Sequence, residues 1–149
     1  MPRTIALAAD HGGVQYKARI AGLLRSEGYE VIDFGTDSTE STDYPDYAHQ
    51  AAEAVSRGEA ENAILVCGSG IGVSIVANKS RGVRSANCLT PEMARLAREH
   101  NNANALAIGE RLVDWPTAQE IVRTFLDTPA SPDERHHRRV EKIHSLTEC

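Results

Sequence analysis

The chain has 149 residues, 41% of them apolar and 25% charged, with a formal net charge of −5. That is one domain's length, enough to bury a substantial core without staples. The acidic balance argues against nucleic acid as a partner, which would require a basic footprint.

The stretch "TIALAAD" (4–10) reads as a buried strand. The apolar run after Arg3 ends at Asp10, too short for the core of a signal peptide. "VQYKARIAGLLRSEG" (14–28) has helical apolar spacing and closes on Gly28, and "YEVIDFG" (29–35) is a second strand. A polar loop leads to a helix over 45–58, with Pro45 in its first turn and Gly58 at its end. "AILVCG" (63–68) is the third strand, followed by a glycine loop and a helix reaching about Lys79. "VRSANC" (83–88) makes a fourth strand. "TPEMARLAREHN" (90–101) begins with Thr90 as its cap, Pro91 and Glu92. "ANALAIG" (103–109) is the fifth strand, and a helix over 115–128 follows. "TPASP" (128–132) breaks the chain before a last, charged helix over 133–147. No stretch approaches the roughly 20 apolar residues of a membrane helix. Three cysteines without a Cys-x-x-Cys pair suggest neither a disulfide framework nor a zinc site, and fit a reducing cytoplasm.

Five strands alternating with helices imply an α/β domain over 1–149, a three-layer sandwich with a parallel sheet covered on both faces. Ligands of such sheets bind beyond the carboxyl ends of the strands. That rule gathers Asp10 and His11, Cys67 with its glycines, and the "GER" turn (109–111) at one edge.

The loop "CGSGIG" (67–72) invites a phosphate, and three phosphate readings fail on named residues. A dinucleotide fingerprint needs glycine at 73, where Val73 stands, and an acidic residue about 20 positions on. A Walker loop needs glycine before Lys79, where Asn78 stands. A cysteine phosphatase loop needs arginine at 73. What remains is a thiol beside a row of amides that glycines can turn inward. Such amides hold a small anion and suit a cysteine working as a thiolate. A base next to an anion hole fits proton abstraction beside a carbonyl, which produces an enediolate. A buried, inert cysteine before a tight turn fits the same stretch. Likewise His100 at a helix end and the cluster "RHHRR" fit a solvated charged surface.

"AADHGG" (8–13), "TDYPDYA" (42–48), "CGSGIGVSIVANK" (67–79), "AREHNNAN" (97–104), "IGER" (108–111) and "RHHRRVEKI" (135–143) together resemble the type B ribose-5-phosphate isomerases. That group includes galactose- and allose-6-phosphate isomerases. The resemblance implies a Rossmann-like fold and an aldose–ketose phosphate isomerase that needs no metal or cofactor. It implies Cys67 as the base, with Gly68, Ser69, Gly70, Ile71 and Gly72 around the enediolate and the Ser69 hydroxyl at the same centre. It implies His100 as the ring-opening residue with Asn101 beside it, and Asp10 and His11 on the sugar. Arg111, Arg135 and Arg139 take the positions of phosphate ligands. Some relatives use a glutamate later in the loop; Val73 stands there, so this chain resembles the cysteine-dependent group. The resemblance also implies a homodimer or tetramer in which the last helix reaches the neighbouring subunit, so that two chains share each site. Tyr44 fits either the sugar pocket or loop packing. Cys88, Cys149, His49, His136 and His137 read as structural or surface residues.

Overall fold

The computed structural model describes residues 2–149. The elements are β1 (Thr4–Ala9), α1 (Val14–Ser26), β2 (Glu30–Asp33), α2 (Tyr44–Ser56), β3 (Asn62–Cys67), α3 (Ile71–Ala77), β4 (Ser85–Asn87), α4 (Pro91–Asn101), β5 (Ala105–Gly109), α5 (Trp115–Asp127) and α6 (Glu134–Thr147). The strands form one sheet in the order β2-β1-β3-β5-β4, every neighbouring pair parallel.

Burial explains the order. β3 and β5 are buried throughout and β1 nearly so, because unbroken apolar runs suit strands covered on both faces. The short, half-exposed β2 and β4 take the outer positions. Alternation along the central strands makes two unlike faces. Ile5, Leu7, Ile64, Val66, Leu106 and Ile108 meet α1, α4 and α5 through Ile20, Leu24, Ala94, Ile121 and Phe125. Ala6, Ala8, Ala63, Ala105 and Ala107 face α2 and α3, which answer with Ala48, Ala51, Ala52 and Ala77. Small side chains on both partners let this second helical layer sit close to the sheet. Truncating a large residue of the first face, such as Leu106→Ala, costs about 2–5 kcal/mol.

Lys17 interrupts the apolar face of α1, yet only 2% of it is exposed. Its ammonium reaches Asp33 at 2.6 Å and Asp37 at 2.7 Å, so the charge is buried with partners. The fourth strand is shorter than the sequence implies, because the Arg84 amide donates to the Asn104 side chain at 2.7 Å instead of entering the ladder.

Helix α6 lies against its own chain. The Ser131 amide just before it donates to the Glu99 carbonyl at 3.0 Å, and the Gly82 amide donates to the Cys149 carbonyl at 2.8 Å. Arg84 meets the His144 ring at 2.7 Å. No residue of α6 is buried. Among the described residues no helix is long and apolar enough to cross a membrane.

Candidate active site

Parallel strands end at a common edge, and there Asp10 follows β1, Cys67 closes β3 and Gly109 closes β5. A cavity of about 340 Å³ opens at this edge, lined among others by Asp10, Tyr44, Cys67, Ser69, Gly72 and Arg111. Cys67 is 5% exposed, at the cavity floor. Its sulfur accepts a hydrogen bond from the Gly70 amide at 3.1 Å.

The row of amides is divided. Gly70 serves the sulfur, and the Ile71 amide donates to the Ser69 hydroxyl oxygen at 3.1 Å, which leaves the Ser69 proton free to donate. The amides of Gly68, Ser69 and Gly72 find no acceptor among the described residues, and all three residues line the cavity. Three open donors beside a sulfur atom form a place for a small anion. Two glycines make this geometry possible. Gly70 has φ of +79°, and a Cβ there would lie 2.5 Å from Asn87 Oδ1. A Cβ at Gly109 would lie 2.6 Å from the Ser69 carbonyl. Asn87, which no sequence motif singles out, underlies the loop. Its Nδ2 donates to the Ser69 carbonyl at 3.4 Å, and its buried Oδ1 has no hydrogen-bond partner among the described residues.

The walls are held from several elements. Asp10 Oδ1 accepts the Gly12 amide at 2.8 Å, which leaves Oδ2 for a ligand. His11 Nδ1 accepts the Thr42 amide at 3.1 Å while its own amide donates to the Thr42 hydroxyl, so a neutral His11 carries its proton on Nε2. This clip ties down the segment before Tyr44, whose ring closes over Gly72 and leaves no room there for a side chain. Tyr44 therefore belongs to the cavity wall. Glu110 donates its amide to the Cys67 carbonyl and accepts the Tyr16 amide at 2.7 Å, pinning the "GER" turn to α1. The Arg111 amide donates to the Gly68 carbonyl at 3.0 Å, and its guanidinium lies over Gly68. No carboxylate pairs with Arg111 among the described residues.

The remaining expected residues lie at the other edge. A helix between parallel strands ends where the next strand begins, so His100 and Asn101, at the end of α4, sit near the start of β5. β5 spans five residues, which separates the two edges by about 16 Å. The His100 ring stacks on His136, centroids 4.3 Å apart and planes at 14°. Asn101 faces away from that pair: it lines a cavity of about 630 Å³ beneath α6, and its carbonyl accepts from Arg84 Nε at 3.1 Å. That cavity is the larger one, but its lining offers no acidic side chain, and the thiol, carboxylate and open amides converge in the smaller. Arg135 reaches Asp133 at 3.4 Å, and Arg139 pairs with no carboxylate among the described residues. Cys88 is 1% exposed, and burial pushes its thiol up to about 11, which suits an inert core residue.

Known proteins resemble this chain along nearly its whole length. The profile of the Ribose/Galactose Isomerase family matches residues 5–143. Ribose-5-phosphate isomerase B of Escherichia coli is 45% identical over 144 residues, which are 97% of this chain and 96% of that protein. The ribose-5-phosphate isomerase B structure of Clostridium thermocellum superimposes with a TM-score of 0.94 at 48% identity, covering 97% of each chain. The Mycoplasma genitalium ribose-5-phosphate isomerase B, solved with bound ribulose-5-phosphate, gives a TM-score of 0.94 at 35% identity over 99% of this chain and 98% of that one. The chain belongs to the ribose/galactose isomerase family.

Proposed function

We propose that the protein is an aldose–ketose isomerase that interconverts ribose 5-phosphate and ribulose 5-phosphate. The observation that carries this reading is the Cys67 sulfur on a cavity floor beside three amides with no acceptor among the described residues. The ribulose-5-phosphate held by a relative of the same fold supports the choice of substrate.

The chemistry follows from the groups. His100 opens the furanose at the ring oxygen: O4 gains a proton as the anomeric hydroxyl loses one, the C1–O4 bond breaks, and C1 becomes the aldehyde. The Cys67 thiolate takes the proton from C2 of the open aldose, and the electron pair forms the C1–C2 double bond of an enediolate. Its oxyanion lies on the open amides of Gly68, Ser69 and Gly72, with the Ser69 hydroxyl donating to the same centre. The proton returns to C1 while the O2 hydroxyl proton passes to O1, so the C2 oxygen becomes the ketone and no external oxidant or reductant is consumed. Asp10 and His11 hold the sugar hydroxyls. Arg111, Arg135 and Arg139 hold the phosphate. A binding module that only senses the sugar phosphate would need the arginines but no base.

We infer further that the working site is shared between two copies in a homodimer. His100 lies at the edge opposite Cys67, about 16 Å away along β5, and Arg135 and Arg139 sit within about one turn of His136, which stacks on His100. One chain therefore supplies two half-sites that a single sugar phosphate does not span. The Cys67 edge also carries exposed Ile71, Ile75, Leu89, Met93 and Leu112, an apolar surface suited to covering by a second subunit. Free Cys67, Cys88 and Cys149 support a cytoplasmic setting, where thiols stay reduced.

The test is direct. Ribose 5-phosphate, allose 6-phosphate and galactose 6-phosphate are each incubated with the protein, and ketose is followed. Ketose from the ribose substrate above the other two is expected. Preferred turnover of a hexose phosphate contradicts the substrate, and no ketose from any of them contradicts the isomerase.

A further inference from the structure

We propose that His136 is the positioning residue of the ring-opening step: it holds the His100 imidazole, by stacking, in register with the phosphate-binding arginines of α6. The proposal rests on the assignment of His100 to ring opening made above.

His100 is exposed at the last turn of α4, where a side chain is free to sample its rotamers. Among the described residues no hydrogen bond or ion pair holds its ring. The one group that fixes it is His136, with a centroid separation of 4.3 Å and an interplanar angle of 14°. Face-to-face contact at that distance holds the His100 ring against α6, because leaving this rotamer gives up the stack. His136 is itself placed by two devices. The Ser131 amide donates to the Glu99 carbonyl at 3.0 Å, which joins the start of α6 to the end of α4. Asp133 then caps α6 by accepting the Arg135 amide at 2.9 Å, which fixes the turn that carries His136.

The consequence is a prefabricated half-site. Arg135 and Arg139 flank His136 within about one helical turn. The stack therefore sets the distance between the ring-opening imidazole and the phosphate clamp. Burial, then the neighbouring His100 and Arg135, lower the His136 pKa, which favours a neutral ring in the stack. Misplacing a catalytic group by an ångström costs up to about 100-fold in rate, so a loose His100 would be felt in ring opening and nowhere else.

That selectivity gives the test. Ribulose 5-phosphate is acyclic, because the hydroxyl that would close its furanose carries the phosphate. Solvent-deuterium exchange into its C1 therefore reports proton transfer without ring opening. Three variants are compared, His136→Ala, His136→Phe and His100→Asn, on ribose 5-phosphate turnover and on this exchange. In His136→Ala, kcat on ribose 5-phosphate should fall about tenfold or more, with KM and the exchange rate little changed. His136→Phe keeps a flat ring and should recover most of the lost turnover. Wild-type kcat in His136→Ala overturns the proposal, as does an equal loss of turnover and exchange, or a His136→Phe variant no better than alanine. If His100→Asn slows ribose turnover alone while His136→Ala does nothing, only this inference falls. If His100→Asn leaves ring opening intact, the assignment of His100 falls with it.

Discussion

Cys67 closes β3 at one edge of the sheet, and His100 lies in the last turn of α4 at the other. The separation is topological: in a parallel sheet, residues that end strands and residues that end the intervening helices lie on opposite edges. No side-chain rotation brings the two together, and this relationship governs how the protein is to be tested.

Cys67→Ser should abolish isomerisation while sugar-phosphate binding persists. A free thiol ionises near pH 8.5, roughly, whereas a serine hydroxyl stays protonated throughout the usable range. Loss of a general base costs about 100- to 10,000-fold. Turnover within a few fold of wild type, with binding followed by calorimetry, would remove Cys67 from the role of base.

Gly70→Ala tests the anion hole by geometry rather than by chemistry. The new Cβ would require φ of +79° and would lie 2.5 Å from Asn87 Oδ1, so the loop must shift. Disturbing the donors of an oxyanion site costs about 100-fold or more in kcat. The variant should lose turnover by that order while its melting temperature changes modestly. Unaltered kcat would show that the amides do not hold the intermediate.

Alkylation separates the thiols. With its thiol pushed up to about 11 by burial, Cys88 is ionised to about one part in a thousand at pH 8. Iodoacetamide at that pH should leave Cys88 unmodified in the native protein, and only unfolding or strongly alkaline pH should expose it. Modification of Cys67 should track loss of activity, and substrate should protect it. Mass spectrometry of the peptides reads both, and early labelling of Cys88 contradicts the burial argument.

The Lys17 ion group is a stability device. Burial opposes the Lys17 charge, and hydrogen bonds to Asp33 and Asp37 outweigh it, so its pKa is raised. A pKa raised on folding contributes stability below the unfolded value, about 10.4, and loses it only as pH climbs past the folded one. Removing both acids as Asp33→Asn with Asp37→Asn leaves a buried cation unpaired and should cost about 3 kcal/mol. Lys17→Met, which keeps the volume and removes the charge, should change stability by about 1 kcal/mol or less. Denaturant melts decide between them, and a larger loss for Lys17→Met would refute the assignment.

The parts legible in the sequence are those set by burial. β1, β3 and β5 are apolar runs bounded by Asp10, Gly68 and Gly109, and the convergence of their ends followed from the rule for parallel sheets. The alternation over 83–88 overreaches β4, because the Arg84 amide is captured by Asn104. The course of α6 was not legible, since a helix with no buried residue carries no pattern that says what it packs against. The position of His100 was available: it ends a helix, so it belongs to the edge opposite Cys67. His136 was hidden in a run of charge, and its contact with His100 depends on the Ser131–Glu99 join, a backbone contact that no motif encodes. Asn87 was missed for the same reason, because its role exists only beneath the folded loop.

The shared site is tested most directly by mixing two defects. Cys67→Ala and His100→Asn, each expected to be nearly inactive as a homodimer, are co-expressed with distinguishable tags. If His100 serves the partner's Cys67 edge, each mixed dimer contains one site with both defects and one with neither. Random pairing makes half the dimers mixed, and each has one good site of two, so about a quarter of wild-type ribose 5-phosphate turnover should return. With mixed dimers confirmed by mass, activity no greater than that of the parent variants would mean that His100 and Cys67 do not meet across the interface, and would contradict the account.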